Sequence, residues 1–401
     1  RINDHSIETD LTWLMNDEHT INGGFQRKQV DFNLGMIIGS EYSADTSREV
    51  YLDTLMWMES KPVETAFYLQ DKWSVSPLLS LQTGLRLAHY SPHNKLYFEP
   101  RLGLKRFLND NLSLKASVGR YHQFLTVANP PDENLRFLDI WFGIPDDRKA
   151  PRSDHYILGL EYMTDSDYLF RAETYYKSFD NLLTLKPTDL IAIDEDGSVH
   201  IDPFNEFWDT DAYAQGFEFL LKKLSGKVRG WVGYTFAETK RKYEKQEWYF
   251  PKYDRTHTLN AVADWALTEK LHFSTALTYS SGNPYTAVIG RSETWQEQQY
   301  GVGDYWYNQQ SYLYGERNAE RYPDYFRLDV SLKKRSTWRY GTKEWYFQVL
   351  NVTNHLNVFT YVHQTREEYD RQAREYINKG VQRAGIPMFP FFPTFGVKYE
   401  F

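Results

Sequence analysis

The last seven residues, Phe395-Gly-Val-Lys-Tyr-Glu-Phe401, alternate large apolar side chains with small or charged ones and end the chain on an aromatic. Successive side chains of an extended strand point to opposite faces. Phe395, Val397, Tyr399 and Phe401 therefore share one face, and Gly396, Lys398 and Glu400 share the other. The first face suits lipid and the second suits water. A soluble edge strand would alternate in the same way, so the rest of the chain has to distinguish the two.

Composition does so. Mean hydropathy is −0.64 and charged residues make up 25% of the chain, yet aromatic residues reach 17%, with 31 Tyr, 25 Phe and 12 Trp. No apolar run approaches the roughly 20 residues that a spanning helix needs. A transmembrane antiparallel β-barrel needs no such run. It shows lipid only alternate residues of each strand, and its interfacial girdles raise the aromatic content. With no cysteine, disulfides, thiolate metal sites and cysteine nucleophiles are all excluded. A net charge of −8 without a basic stripe argues against nucleic acid as a partner.

The turns sort by length. Short polar connections stand at Asn16-Asp-Glu-His19, Ser74-Val-Ser-Pro77, Leu108-Asn-Asp-Asn111, Thr164-Asp-Ser-Asp167, Leu224-Ser-Gly-Lys227, Leu267-Thr-Glu-Lys270 and Ser336-Thr-Trp-Arg339, all rich in turn formers. Between them lie long connections over residues 37–61, 125–150, 181–211, 240–255, 284–322 and 363–390, with one short exception near Ser91 to Asn94. Short turns at one end and long loops at the other mark an outer-membrane barrel, whose long loops face outside.

The segments between turns alternate in step. Leu271, Phe273, Thr275, Leu277 and Tyr279 oppose His272, Ser274, Ala276, Thr278 and Ser280, while Phe326, Leu328, Val330 and Leu332 oppose Arg327, Asp329, Ser331 and Lys333. A sandwich core would bury the same apolar stripes. Arg86, Glu218, Lys222, Arg327, Asp329, Lys333 and Glu344 instead build a charged opposite wall, which suits a wide, wet or plugged lumen. Counting gives about fifteen strands, with one long strand expected from Lys343 to Val362. Placing Phe401 in the periplasm makes the first strand descend. Since single-chain bacterial barrels hold even numbers of strands, residues 1–401 are expected to be the C-terminal portion of one barrel domain, with earlier strands upstream.

Four segments resemble the C-terminal half of the barrel of TonB-dependent outer-membrane receptors. Phe250-Pro-Lys-Tyr-Asp-Arg-Thr-His-Thr-Leu-Asn260 opens a descending strand after a long loop, and Tyr279-Ser-Ser-Gly-Asn-Pro-Tyr285 closes the next ascending one. Tyr322-Pro-Asp-Tyr-Phe-Arg-Leu-Asp329 begins the penultimate descending strand, and Val349-Leu-Asn-Val-Thr-Asn-His-Leu-Asn-Val358 precedes the terminal one. The resemblance covers most of residues 60–401. It implies a 22-stranded barrel in the outer membrane of a Gram-negative bacterium, closed by an N-terminal plug that is absent here. It further implies import of a large or scarce nutrient such as a siderophore, glycan or peptide, energised by the inner-membrane TonB–ExbB–ExbD system acting on the missing N-terminal region. Implied partners are outer-membrane lipid, the barrel-assembly machinery acting on Phe395, Val397, Tyr399 and Phe401, and, as in the glycan-importing branch, a surface lipoprotein. The alternative is a passive porin-like or structural barrel, which would share everything except the plug.

Neither a catalytic set nor a metal or cofactor site is expected. Asp254, Arg255 and His257 have no serine fixed beside them and are read as a rim network that sets a loop's return. Asn351, Asn354 and Asn357 break the two-residue period and are read as a bulge. His5, His19, His89, His93 and His122 lack metal-ligand spacing. Ligand contact is expected in the long loop from Ala287 to Arg321, through Trp295, Tyr300, Tyr305, Trp306, Tyr307, Tyr312 and Tyr314. Such rings offer stacking faces among adaptable hydrogen-bonding neighbours; packing of the loops on one another would use them equally well. Phe137, Ile140, Trp141 and Phe142 form a second apolar loop cluster, suited to capping the pore or meeting a surface partner.

Overall fold

A computed structural model describes residues 1–44, 47–128, 140–185, 192–193, 199–200, 207–243, 247–299, 304–370 and 375–400, with side chains described outside 34–58, 128–140, 185–207, 291–311 and 364–381. Among the described residues every regular element is a β-strand. Sixteen strands form one antiparallel sheet. Fifteen of them follow one another in chain order, from Ile2–Leu14 to Phe392–Glu400, and Ser47–Ser60 pairs off that path with His19–Ala44. The expected all-β class, strand number and up-and-down order are present. Two turns are displaced slightly from their expected positions: Val63–Ser76 and Leu79–Tyr90 turn over residues 77–78, and Tyr325–Trp338 and Gly341–Leu350 over residues 339–340.

The contacts divide the chain into two compact units. The first comprises Arg1–Leu160, Thr174–Ala214 and Arg241–Glu247. Its strands Val63–Ser76, Leu79–Tyr90 and Lys95–Phe107 register Leu87 against both Phe67 and Phe98, and Arg86 against both Tyr68 and Glu99. Phe67, Leu69, Leu85, Phe98, Leu102 and Leu104 are all exposed on one face. On the other, Arg86 donates to Glu64 (2.6 Å), Gln26 (2.9 Å) and Glu99 (3.5 Å), and the Glu99 carboxylate also takes the His122 backbone N–H at 2.9 Å. This face narrows to Ala66 and Ala88, a cross-strand pair with no exposed surface. The small side chains leave room for Phe124, Phe142 and Ile144, which pack there with Tyr90, Tyr97, Val30 and Phe32. The Tyr90 hydroxyl donates to the Ile144 carbonyl at 3.0 Å, and its ring stacks on Phe124 at 4.7 Å. Buried aromatic pairs of this kind add about 0.5–1.5 kcal/mol beyond the area they bury.

The second unit comprises Glu161–Glu173, Gln215–Lys240 and Trp248–Phe401. His257–Ala266, Leu271–Ser280 and Tyr325–Trp338 pair in strict alternation, so that Phe273 meets Trp265 and Leu332 on one face while Ser274 meets Asp264 and Ser331 on the other. The last strand pairs with Gly341–Leu350, placing Val397 beside Trp345 and Phe395 beside Phe347. Phe395, Val397 and Tyr399 are exposed on the expected face; Phe401 lies outside the described residues. Gly396 leaves room for the Tyr346 ring, whose tip a Cβ there would approach to 2.5 Å and have to push aside. Trp338 packs edge-on against Tyr340 and Tyr399 at 5.3 and 5.4 Å, an aromatic cluster of the kind that marks a membrane interface.

The expected single strand from Lys343 to Val362 is two elements. Gly341–Leu350 belongs to the sheet, and Val358–Asp370 pairs with Glu375–Pro387 in a separate two-stranded ribbon. Between them Asn351 and Asn354 adopt the left-handed conformation, each with φ 50°, one that asparagine tolerates better than most residues. Asn351 donates to the His355 and Phe389 carbonyls at 3.0 and 3.2 Å, Asn354 accepts the Phe391 N–H at 3.0 Å, and Asn357 both accepts the Phe326 N–H (2.8 Å) and donates to its carbonyl (2.9 Å). The three asparagines end a strand and tie down the loop that follows; they do not make a bulge within it.

Candidate functional site

The loop expected to contact ligand is a ribbon, Val288–Gln299 paired with Asp304–Tyr314. Trp295 registers against Asn308, Tyr307 against Gln296, Trp306 against Glu297 and Tyr305 against Gln298. The side chains of Trp295, Tyr305, Trp306 and Tyr307, and the whole of Tyr300, lie outside the described residues. Tyr312 and Tyr314 are exposed at the ribbon's base. Tyr312 donates its hydroxyl to the His363 carbonyl at 3.2 Å, with the two rings 5.8 Å apart. One expected residue therefore joins this ribbon to its neighbour, Val358–Asp370.

Beneath the ribbon sits a clamp. Pro284–Tyr285 pairs with Glu320–Arg321, and the Tyr285 ring packs on Tyr322 at 4.5 Å and Tyr361 at 5.3 Å, while Tyr322 stacks on Tyr361 at 5.0 Å. Arg383 places its guanidinium 4.2 Å from the Tyr361 ring and donates to the Tyr285 hydroxyl at 2.5 Å. Burial raises the Tyr285 phenol above its ordinary pKa, so it remains protonated and accepts that hydrogen bond. Sequence reasoning missed the clamp, which joins the short pair at the foot of one ribbon to the two strands of the other, Val358–Asp370 and Glu375–Pro387.

The rim network expected around Asp254, Arg255 and His257 is present. Asp254, 2% exposed, accepts the Thr239 N–H at 2.8 Å and the Arg321 guanidinium at 2.5 Å. Arg321 also donates to the Gly282 carbonyl at 3.0 Å. Gly282 packs against the Tyr322 carbonyl so closely that a side chain there would displace the backbone. Arg255 donates to Ser280 Oγ, the His257 N–H donates to Ser281 Oγ at 2.9 Å, and His257 Nδ1 shares a hydrogen bond with Tyr234 at 2.8 Å. Asn318, buried with φ 53°, donates to the Phe250 carbonyl at 2.8 Å and receives support from Thr286. The motif residues thus hold both ends of the loop on the sheet.

In the other loop cluster Phe142 is buried in the core of the first unit and Trp141 is exposed. Phe137 and the Ile140 side chain lie outside the described residues. Among the described residues no group of three His, Asp or Glu side chains is placed to hold a metal.

A polar-faced and apolar-faced antiparallel sheet, short turns at one end and tied-down ribbons at the other define the class of bacterial outer-membrane β-barrels. The TonB dependent receptor-like, beta-barrel family model matches residues 3–354, and the chain belongs to that family. Its fold is similar to that of a mutant of the ferric enterobactin receptor PfeA of Pseudomonas aeruginosa, with TM-score 0.55 and 14% identity over 88% of this chain and 49% of that one. It is similar also to the siderophore receptor PirA of Acinetobacter baumannii, with TM-score 0.57 and 13% identity over 88% and 51%. The ferripyoverdine receptor of P. aeruginosa, solved with ferripyoverdine, matches with TM-score 0.56 and 14% identity over 90% and 45%. The chain thus spans about half the length of these receptors. No curated protein matches it. The family places the chain in the bacterial outer membrane and is one of transport receptors.

Proposed function

We propose that this chain is the C-terminal part of the barrel of a TonB-dependent receptor that imports a large or scarce nutrient, a siderophore, glycan or peptide, with energy from the inner-membrane TonB–ExbB–ExbD system. The family match over residues 3–354 carries the reading. The ribbon Val288–Gln299 and Asp304–Tyr314, with Trp295, Tyr305, Trp306, Tyr307, Tyr312 and Tyr314 along it and Tyr300 in the sequence between its strands, is the ligand-gripping element on this reading. The clamp at its base supports it, because a ribbon fixed at its foot loses less entropy on gripping cargo than a free loop would.

The test uses the full-length receptor in whole cells, offered ferric catecholate siderophores, oligosaccharides and oligopeptides as labelled probes. Uptake of one class that disappears when TonB is deleted supports the proposal. Uptake of small solutes that is indifferent to TonB would replace it with a passive pore.

A further inference from the structure

The first unit carries a groove of about 460 Å³ at the long-loop end of the sheet, between the start of Lys95–Phe107 and the chain leading into Arg152–Met163. Its lining is mixed in an informative way. Leu96 and Phe98, 53% and 59% exposed, line it; they share a strand face with Leu102 and Leu104 and so continue the apolar, lipid-facing stripe. Lys95, Arg148 and Lys149 line it too, with Asp146 as the acidic group of the lining. Two further arginines there are neutralised: Arg120 by Asp154 at 2.7 Å and Arg152 by Asp180 at 2.5 Å. The remaining cations are less satisfied. Among the described residues Arg148 meets only exposed Asp147, at 3.7 Å, and its buried Nε lacks a hydrogen-bond partner. Lys95 and Lys149 join no ion pair among the described residues, Lys95 lying over the Tyr97 ring.

Free positive charge directly above a lipid-facing apolar stripe is the arrangement that receives an anionic lipid headgroup, the acyl chains following the apolar side chains and the anion meeting the cations. We propose that this groove binds a phosphate of the anionic glycolipid in the outer leaflet, with Lys95 and Lys149 as its principal contacts and Arg148 beneath them. A free anionic cargo would need the cations but not Leu96 and Phe98, which is why the glycolipid is favoured. The proposal rests on the family's outward orientation of the long loops and is independent of energised import.

The full-length protein, purified in detergent, would be titrated with bisphosphoryl lipid A and followed by native mass spectrometry. Lys95→Gln with Lys149→Gln should weaken binding roughly tenfold or more, as expected for the loss of two charge-assisted contacts, whereas Lys105→Gln, near the other end of Lys95–Phe107, should not. Dephosphorylated lipid A should bind weakly, and millimolar inorganic phosphate should fail to compete. Equal binding of dephosphorylated lipid, an unaffected double variant, or full competition by inorganic phosphate would each overturn the proposal, the last identifying a site for free anions. The substitutions lie on exposed lysines, and an unchanged far-ultraviolet β-signature separates lost binding from lost fold.

Discussion

Arg321 donates to the buried carboxylate of Asp254 at 2.5 Å across 67 residues of sequence, and with its other nitrogen reaches the Gly282 carbonyl. One guanidinium thereby ties both ends of the aromatic loop to the strand entrance at His257. Because Asp254 is buried and also takes the Thr239 N–H, its removal leaves a donor unpaired and Arg321 without its counter-ion. Asp254→Ala should destabilise the loop base by about 2 kcal/mol, below the full cost of breaking a buried pair because Arg321 is part-exposed. Hydrogen exchange should quicken at residues 282–286 and 318–322 while the sheet strands keep their protection.

The Tyr285 and Arg383 contact couples the two ribbons, and a double-mutant cycle should find it. Tyr285→Phe and Arg383→Gln should each loosen the ribbons, and the pair should cost less than the sum, with a coupling of about 1 kcal/mol for a hydrogen bond to a charged donor. Full additivity, read from the exchange of residues 358–363, would mean that the clamp carries no load.

Acid should release the ribbon Val358–Asp370. Burial, reinforced by Arg383, lowers the His363 imidazole below its ordinary value. A detached ribbon takes up a proton near pH 6.5, whereas the docked one resists it to lower pH. Docking is therefore fully favourable above about pH 6.5 and weakens as pH falls through that value toward the lower docked pKa. Exchange at residues 361–363, corrected for intrinsic pH effects, should rise across that interval, and His363→Gln should abolish the dependence.

Gly396 lies under the Tyr346 ring in the pairing of the last two sheet strands. Gly396→Val forces that ring aside and should lower stability by about 1–3 kcal/mol, the usual cost of overpacking. Tyr346→Ala in the same chain should recover part of the loss. Urea unfolding from lipid vesicles measures both; a variant as stable as the parent would show that the ring moves freely.

Alternation made the sheet legible, because a two-residue period is local and each segment reports its own faces. Phe273 with Leu277 and Phe326 with Leu328 stood on the apolar face before any partner was known. The ends of the strands were less so. Ser336 and Thr337 read as a turn yet continue the strand to Trp338, since pairing with Thr342 and Lys343 outweighs turn propensity. The asparagine series showed that the period breaks at Asn351 but not how: ending a strand and bulging it disturb alternation alike, and only the partners Phe326 and Phe389 tell them apart. The clamp was illegible because Tyr285 and Arg383 stand 98 residues apart: the motif that ends at Tyr285 reports its own turn and says nothing of a distant partner.

The central claim is that one face of these strands meets lipid and the other water. The chain contains no cysteine, so single cysteines placed along Leu271–Ser280 and spin-labelled in bilayers report each position alone. Labels at Phe273 and Leu277 should be reached by oxygen and shielded from a water-soluble nickel complex, and labels at Ala276 and Thr278 should show the reverse. The same accessibility at all four positions would contradict the account.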